Sequence, residues 1–361
     1  MRSFSRSWLL ALRRSAGRLG LGLLAMLAVL GVIVLAGKPL QARNAINLPW
    51  VELSAERSAG ISGLVWQGVD TTGDPFGVLA RQGGAQSSGD LFLAVHDTKS
   101  DPALFKRLSR LQWHDRRSWG MFSLTWPARA ELPNDLEAIS AIPGETDYVA
   151  VTSRGRAYRL AIPAANSTIG DVFFTSDPRS LVQEPTVRAV FDLPATPEPN
   201  RDLETFQITR LGNRLVVLFA DRGGDRRPAT LHWGWFDPAS NAIALQGSTT
   251  ITGPLDPKLQ RSLSDLVVLP DGRLLGAAAI DRGDNGPFQS TLYWLGRLQL
   301  DGDQIRWQPS AQGRSLVNAG NHKIEALALA PPESPTRLAI ATDDENLGVA
   351  VTQIPLDRLL P

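Results

Sequence analysis

Two sets of polar side chains recur along this 361-residue chain in a way that would let them do chemistry together. Glu137, Glu204, Ser264 and Glu325 are each the third letter of a repeated phrase: D-L-E-A-I at 135–139, D-L-E-T-F at 202–206, S-L-S-D-L at 262–266 and K-I-E-A-L at 323–327. A degenerate earlier copy, G-I-S-G-L at 60–64, puts Ser62 in register. The second set lies farther along each copy, as His96-Asp97, Ser153-Arg154, Asp221-Arg222, Asp281-Arg282 and Asp343-Asp344. Converging carboxylates raise one another's pKa unless a cation neutralises them. Asp97, Glu137, Glu204, Asp221, Asp281, Glu325, Asp343 and Asp344 therefore form a candidate metal set, and hard oxygen donors suit Ca2+ or Mg2+. Arg154, Arg222 and Arg282 are candidates for binding an anionic part of a substrate. His96 and His322, beside the repeated positions, are candidate general acids or bases. The same residues would also serve a structural end, accepting backbone N–H bonds and tying one repeat to the next, with the arginines as ion-pair partners.

Other chemistries are excluded by composition. Cysteine is absent, which removes disulfides, thiolate metal sites and cysteine nucleophiles, and four histidines are too few for a multi-histidine centre. There is no G-x-S-x-G, no P-loop and no H-E-x-x-H. Setting aside Arg2, Arg6, Arg13, Arg14 and Arg18 leaves 32 basic against 36 acidic residues. A body with that balance is not a nucleic-acid binder, because phosphate binding needs a concentrated excess of Lys and Arg.

The elements that would position these residues are short strands. Apolar runs at 91–95, 148–152, 214–220 and 337–342 are separated by Gly, Pro, Asp and Asn turns such as Pro270-Asp271-Gly272 and Gly212-Asn213. Aligned on the third letter, the copies are spaced 75, 67, 60 and 61 residues apart, and each carries four strand-like runs. Four antiparallel strands per repeat make an all-β fold, a β-propeller, in which the inner strands line a central channel and equivalent residues form a ring. The repeat exceeds the length of common propeller repeats, and the excess is assigned to loops such as 97–105 and 174–201. The last copy shows only three strands, so Trp50–Ser54 is expected to supply the fourth and close five blades. Six blades are the alternative if the 174–201 stretch hides another, and a two-sheet sandwich is the rival that leaves the period unexplained. The tryptophans at 113, 126, 233, 235, 294 and 307 fall in outer strands and are expected to pack between blades.

Ahead of this body, residues 1–18 read as a basic cytoplasmic segment, 19–37 as a transmembrane signal-anchor and 38–49 as a linker to a propeller domain at 50–361. Leu19–Gly37 is 19 residues without a charge and spans roughly 28 Å as a helix. Five arginines precede it, so the body is expected across the membrane, anchored, or secreted if cleaved near Ala42.

The segments I-S-G-L-V-W at 61–66, D-L-E-A-I at 135–139, L-S-D-L-V-V-L-P-D-G-R-L-L at 263–275, and K-I-E-A-L-A-L with A-T-D-D-E-N within 323–346 resemble the phytase-like propeller family described as having esterase-like activity. The resemblance covers most of residues 50–361. It implies an exported propeller that hydrolyses phosphate or carboxylate esters, with calcium bridging acidic side chains and substrate. The chain departs from the family pattern at His96-Asp97, Ser153-Arg154 and Ile280-Asp281-Arg282, where fewer acids are present. Two functions follow as expectations: a membrane-tethered hydrolase assisted by a divalent metal, acting on a small ester or anionic ligand, or a non-catalytic propeller that binds a ligand or a membrane-protein partner as a scaffold.

Overall fold

Strands that are apolar on both sides account for the architecture. In the run Leu215 to Ala220, for example, every side chain is buried, the odd-numbered ones facing one neighbouring sheet and the even-numbered ones the other. Such a strand is stable only between two sheets, which is the position of every inner strand in a propeller. The computed structural model describes residues 45–70, 89–115, 118–163, 184–194, 202–224, 226–310 and 314–360. The compact body comprises Ala45–Pro361.

Two short strands, β1 (Ile46–Asn47) and β2 (Val51–Ser54), precede the blades. Blade 1 holds β3 (Gly63–Asp70), β4 (Gly89–Val95), β5 (Leu108–Asp115) and β6 (Ser118–Leu124). Blade 2 holds β7 (Leu136–Ala141), β8 (Asp147–Thr152), β9 (Arg156–Ala161) and β10 (Thr186–Asp192). Blade 3 holds β11 (Leu203–Leu211), β12 (Arg214–Asp221), β13 (Ala229–Asp237) and β14 (Ala242–Ile251). Blade 4 holds β15 (Gln260–Val268), β16 (Arg273–Ile280), β17 (Gln289–Asp301) and β18 (Gln304–Pro309). A two-residue strand, β19 (Val317–Asn318), pairs in parallel with β1. Blade 5 holds β20 (Ile324–Ala330), β21 (Arg337–Thr342) and β22 (Val349–Pro355), and its outer strand is β2.

The core lies between blades. Leu93 and Val95 meet Ile139 and Ala150 from blade 2. Val149 and Val151 meet Phe206, Val217 and Phe219 from blade 3. Leu218 and Trp233 meet Leu266, Leu274 and Tyr293 from blade 4, and Leu275 and Leu292 meet Leu327, Leu338 and Ile340 from blade 5. The last junction joins Ala328, Ala339 and Val351 to Leu64, Phe92 and Leu111 of blade 1. At about 1.5–3 kcal/mol for each large apolar side chain removed from water, these junctions supply the main driving force.

The ring closes as expected, with β2 antiparallel to β22 through the pairs Val51↔Val351, Glu52↔Ala350 and Ser54↔Val349. Trp50 Nε1 adds a hydrogen bond to the Ala319 carbonyl at 3.0 Å, and Thr352 Oγ1 one to the Pro49 carbonyl at 2.9 Å. Five blades form among the described residues, neither six nor a sandwich. The stretch assigned to a loop at 174–201 contains β10, a strand of blade 2 and not an extra blade. Likewise β1 falls inside the stretch read as linker, and Leu48 beside it is buried. The segment at 19–37 and the basic residues before it lie outside the described residues, among which no helix is long and apolar enough to cross a membrane.

The closure gives a test. Gly348, at φ +97°, stands where a Cβ would lie 2.0 Å from the Ser54 carbonyl oxygen, whereas Gly302, at φ +58°, has open space around it. Gly302→Ala is expected to cost about 1 kcal/mol through its backbone conformation alone. Gly348→Ala is expected to cost about 3 kcal/mol or more, because it also pushes β2 off β22. Urea midpoints of the two variants should differ in that order, and equal midpoints would mean that closure contributes little to stability.

Candidate functional site: the charged channel mouth

A backbone irregularity explains the repeated phrase. In β7, Leu136 pairs with Thr152 and Ala138 with Val151, so Glu137 is an extra residue without a partner opposite. Glu204 is skipped in the same way between Leu203 and Thr205, and Glu325 between Ile324 and Ala326. In β15 the break runs from Arg261 to Asp265 and includes Ser264. A β-bulge re-aims the side chain of its extra residue. The flanking Leu136, Ala138, Leu203, Thr205, Ile324 and Ala326 stay buried, while three glutamates converge closely enough to influence one another's titration.

On the side of blades 1 and 2, Glu137 is partly exposed and has Asp135 as a carboxylate neighbour. Its pKa is raised well above the usual carboxylate range, first by removal from water and then by Glu204, Asp135 and Asp97. Asp135 accepts from the Ser153 hydroxyl at 2.5 Å and lies 3.0 Å from Lys99 Nζ, which is 3.5 Å from Asp97. Asp135 also holds φ +67°, a left-handed conformation that Asp tolerates better than most residues. On blade 3, Arg222 bridges Asp202 at 3.0 Å and Glu204 at 3.1 Å. Burial lifts the Glu204 pKa, against the pull of Arg261, Arg222 and Lys323.

The densest part lies between blades 4 and 5. Lys323 Nζ is 2.6 Å from Glu345, 3.4 Å from Glu325 and 3.7 Å from both Asp281 and Asp343, with its side chain only 3% exposed. Arg261 reaches Asp281 at 2.8 Å and Glu325 at 3.5 Å. Burial works against both cations, yet the surrounding carboxylates more than offset it and their pKa values rise. Burial pushes Glu325 up to about 7, with Lys323 and Arg261 opposing and Glu204 assisting. Asp343 is likewise pushed up to about 7 by burial, opposed by Lys323 and assisted by Asp97.

Of the residues singled out in the sequence, Glu137, Glu204, Glu325, Asp97, Asp281 and Asp343 do converge. Asp221 does not belong to the set, since its oxygens accept from Gly223 N at 2.9 Å, Thr230 N at 3.0 Å and Arg227. Asp344 is equally committed, accepting from Lys323 N at 2.6 Å and Thr342 Oγ1 at 3.0 Å and contacting His322 Nδ1 at 2.6 Å. His96 is buried, with Nδ1 2.7 Å from the Gly60 carbonyl and Nε2 2.8 Å from Ser109 Oγ. A carbonyl only accepts, so Nδ1 carries the proton, and burial holds the ring neutral; both nitrogens are used. His322 is tied to Asp344, packs on Trp50 at 4.7 Å between ring centres and sits 3.9 Å from Glu52, at the closure of the ring and not in its charged centre. Arg222 is engaged on the ring, Arg154 is 68% exposed and 3.8 Å from Asp202, and Arg282 is exposed and without an ion pair among the described residues. Ser264 donates to the Ile324 carbonyl at 2.7 Å, a tie between blades 4 and 5 made by donating to a carbonyl and not by accepting an N–H bond as expected. The tryptophans follow expectation: Trp233 stacks on Trp307 at 6.1 Å across blades 3 and 4, and Trp126, just beyond β6, meets Tyr158 of blade 2 edge-on at 5.4 Å.

The calcium expectation does not fit these residues. Among the described residues no three carboxylate or imidazole side chains stand together as a metal-holding group, and Lys323 and Arg261 lie between the acids. Lys99, Asp135, Arg261 and Lys323 were not among the sequence candidates. One signal pointed to two of them: the first letter of the phrase is Asp135 and Asp202 in two copies but Lys323 in another, a charge reversal at a repeated position.

Below the ring, Asp265 accepts from Thr205 Oγ1 of blade 3 at 2.9 Å, from Leu266 N at 2.7 Å and from Leu327 N of blade 5 at 2.7 Å, joining three blades. Beyond it, the opposite mouth opens into a cavity of about 520 Å3 lined mainly by apolar side chains of all five blades, including Leu64, Ile208, Val267 and Leu329, with Arg210 and Glu333 beside them.

The raised carboxyls set a pH dependence. Glu325 and Asp343 bind protons more tightly folded than unfolded, so the stability they contribute is complete below about pH 4 and is lost as pH rises through 7. Asp101 and Glu131, held below their usual range by hydrogen bonds from Lys106 and Arg156, act oppositely and withdraw stability as the solution turns acid. Stability is therefore expected to peak at roughly pH 5 and to decline towards pH 8. Glu325→Gln cannot ionise, so relative to the parent it should gain about 1–2 kcal/mol between pH 5 and pH 8. Denaturant midpoints across that range check this; a constant difference between the two proteins would show that Glu325 does not titrate there.

No protein-family model matches the chain, and no curated protein matches its sequence. Among solved structures it is similar to an α-L-arabinofuranosidase from Lactobacillus brevis, at 9% identity over 73% of this chain and 86% of that one with a TM-score of 0.41. It is also similar to an α-L-arabinanase from Penicillium chrysogenum complexed with arabinobiose, at 10% identity over 88% of this chain and 99% of that one, TM-score 0.42. A third is an α-L-arabinofuranosidase from Podospora anserina in complex with cellotriose, at 10% identity over 86% of this chain and 98% of that one, TM-score 0.44. At that distance the site has to be read from its own residues.

Proposed function

We propose that this chain is a hydrolase of ester bonds that works by carboxyl acid–base chemistry at the charged mouth, displayed across a membrane by its N-terminal apolar segment. The observation that carries the reading is the Glu137–Asp135 pair, two neighbouring carboxyl groups two residues apart, one of them partly exposed and with a strongly raised pKa. A carboxyl with a raised pKa beside a carboxylate paired to Lys99 offers an acid and a base at one place. Asp135 takes a proton from water, the water oxygen bonds to the ester carbon, the bond to the leaving oxygen breaks, and Glu137 protonates that oxygen. Lys99 and Ser153 hold Asp135 in position.

The charge balance selects among esters. The mouth and its ion pairs bring Asp97, Asp135, Glu137, Asp202, Glu204, Asp281, Glu325, Asp343 and Glu345 together with Lys99, Arg154, Arg222, Arg261 and Lys323. Once Glu325 and Asp343 ionise, above about pH 7, the acids are in excess, so a phosphate ester is repelled there and a neutral carboxylate ester is not. The resemblance to phytase-like propellers supports ester hydrolysis in general, and no step here needs a metal.

A second reading, a non-catalytic propeller acting as an extracytoplasmic binding module, is favoured by the apolar cavity at the opposite mouth, whose volume suits a small ligand. Turnover separates the two. The full chain in detergent should hydrolyse nitrophenyl carboxylate esters faster than nitrophenyl phosphate, equally in calcium and in chelator. Glu137→Gln should lower kcat/KM by about 10²–10⁴ with the melting temperature little changed. Absence of turnover on every ester would leave the binding reading alone.

A further inference from the structure

The resemblance leads one to expect a divalent cation among the ring carboxylates, and the residues present do not accommodate one. What stands there is an ammonium group. Lys323 Nζ has four carboxylate oxygens around it, from Asp281, Glu325, Asp343 and Glu345, at 2.6–3.7 Å. These come from three chain segments, the end of β16, the start of β20 and the turn after β21. Two of the oxygens, Asp281 Oδ2 and Glu325 Oε1, are shared with Arg261, and the other oxygen of Glu345 is 3.1 Å from Arg57. A calcium ion asks for six to eight oxygens at 2.3–2.6 Å, so a cage of this kind is a loosened version of a calcium shell with a larger monovalent group at its centre.

We infer that Lys323 is a built-in cation that holds the place of a divalent metal, so that the native ring is closed to Ca2+ and loss of the lysine charge opens it. Three observations carry this. The lysine side chain is almost fully buried, a position lysine takes only when its charge is paired. It sits at the phrase position filled by Asp135 and Asp202 in other copies, so the cation enters from the same place on the wall that elsewhere supplies an acid. Finally, its neighbours are carboxylates from separate segments, which repel one another once the charge between them is gone. The inference is independent of whether the mouth hydrolyses anything, since its readout is binding and stability.

The test is Lys323→Met in the full chain, which keeps the apolar stem and deletes the charge. Parent protein and Lys323→Arg should show no calcium-dependent change in melting temperature and no heat of calcium binding by calorimetry. Lys323→Met should melt lower than the parent in chelator and regain about 5 °C at a hundredfold excess of calcium over its Kd. A calcium response in the parent equal to that of the variant would overturn the inference, because the lysine would then exclude nothing. So would a folded Lys323→Met that ignores calcium. Where Lys323→Met fails to fold in chelator, Lys323→Met combined with Glu345→Gln relieves one charge, and failure of both proteins to gain structure from calcium would equally defeat it.

Discussion

Five strands that start around one axis bring their first side chains within a few ångströms of one another, and like charges gathered there must be compensated from inside the protein. Two unit charges 4 Å apart interact with about 4 kcal/mol at an effective dielectric of 20, so several uncompensated carboxylates would prevent the blades from closing. This chain supplies the compensation itself, with Lys99 between blades 1 and 2, Arg222 on blade 3, and Arg261 and Lys323 between blades 4 and 5. Each cation is shared by at least two acids, and burial, assisted at Glu137, Glu325 and Asp343 by neighbouring carboxylates, makes Glu137, Glu204, Glu325 and Asp343 titrate above their usual range.

The scaffold that holds this arrangement uses the same residues' neighbours. At the level of the bulges, Leu203 N donates to the Ser153 carbonyl, Leu263 N to the Arg222 carbonyl and Ile61 N to the Thr342 carbonyl, so each of these inner strands begins on the end of the preceding blade's second strand. One layer lower, Ser140 accepts from Ile208 N at 2.8 Å and Asp265 joins blades 3, 4 and 5. Those bonds satisfy backbone groups that the bulges would otherwise leave open. The polar phrase is therefore both structural and chemical: its apolar letters pack between blades, its short polar side chains stitch them, and only the bulged residue is free to face the axis.

Much of this was legible in the sequence because inner and second strands are buried on both faces and read as unbroken apolar runs; β4, β8, β12 and β21 coincide with the runs at 91–95, 148–152, 214–220 and 337–342. The closing strand was legible because the last copy lacked one. β10 was not, since no side chain from Thr186 to Asp192 is buried and an outer strand half in water has no apolar signature. Within the site, the glutamates announced themselves by repetition, whereas Lys323 and Arg261 did not. A lysine or arginine ahead of a strand ordinarily lies in water, and nothing in one sequence shows that four acids from three distant segments will surround it. Asp221 and Asp344 misled for the complementary reason: an aspartate ending a strand looks the same whether it faces an axis or caps its own turn.

The distribution of cations also decides where on the mouth chemistry can occur. Between blades 4 and 5 the carboxylates are paired with Lys323 and Arg261, so a substrate there would have to displace ion pairs. On blade 3, Arg222 holds Glu204 against Asp202 in the same way. Glu137 differs, because its nearest charged neighbours are carboxylates and no cation is paired with it among the described residues. In the proposed reaction the reactive point of a pseudo-symmetric ring thus lies on the side of blades 1 and 2. Arg261 acts on it from a distance: the Glu137 charge is one of those that raise the Arg261 pKa, so a cation on the far side bears on how readily Glu137 gives up its proton.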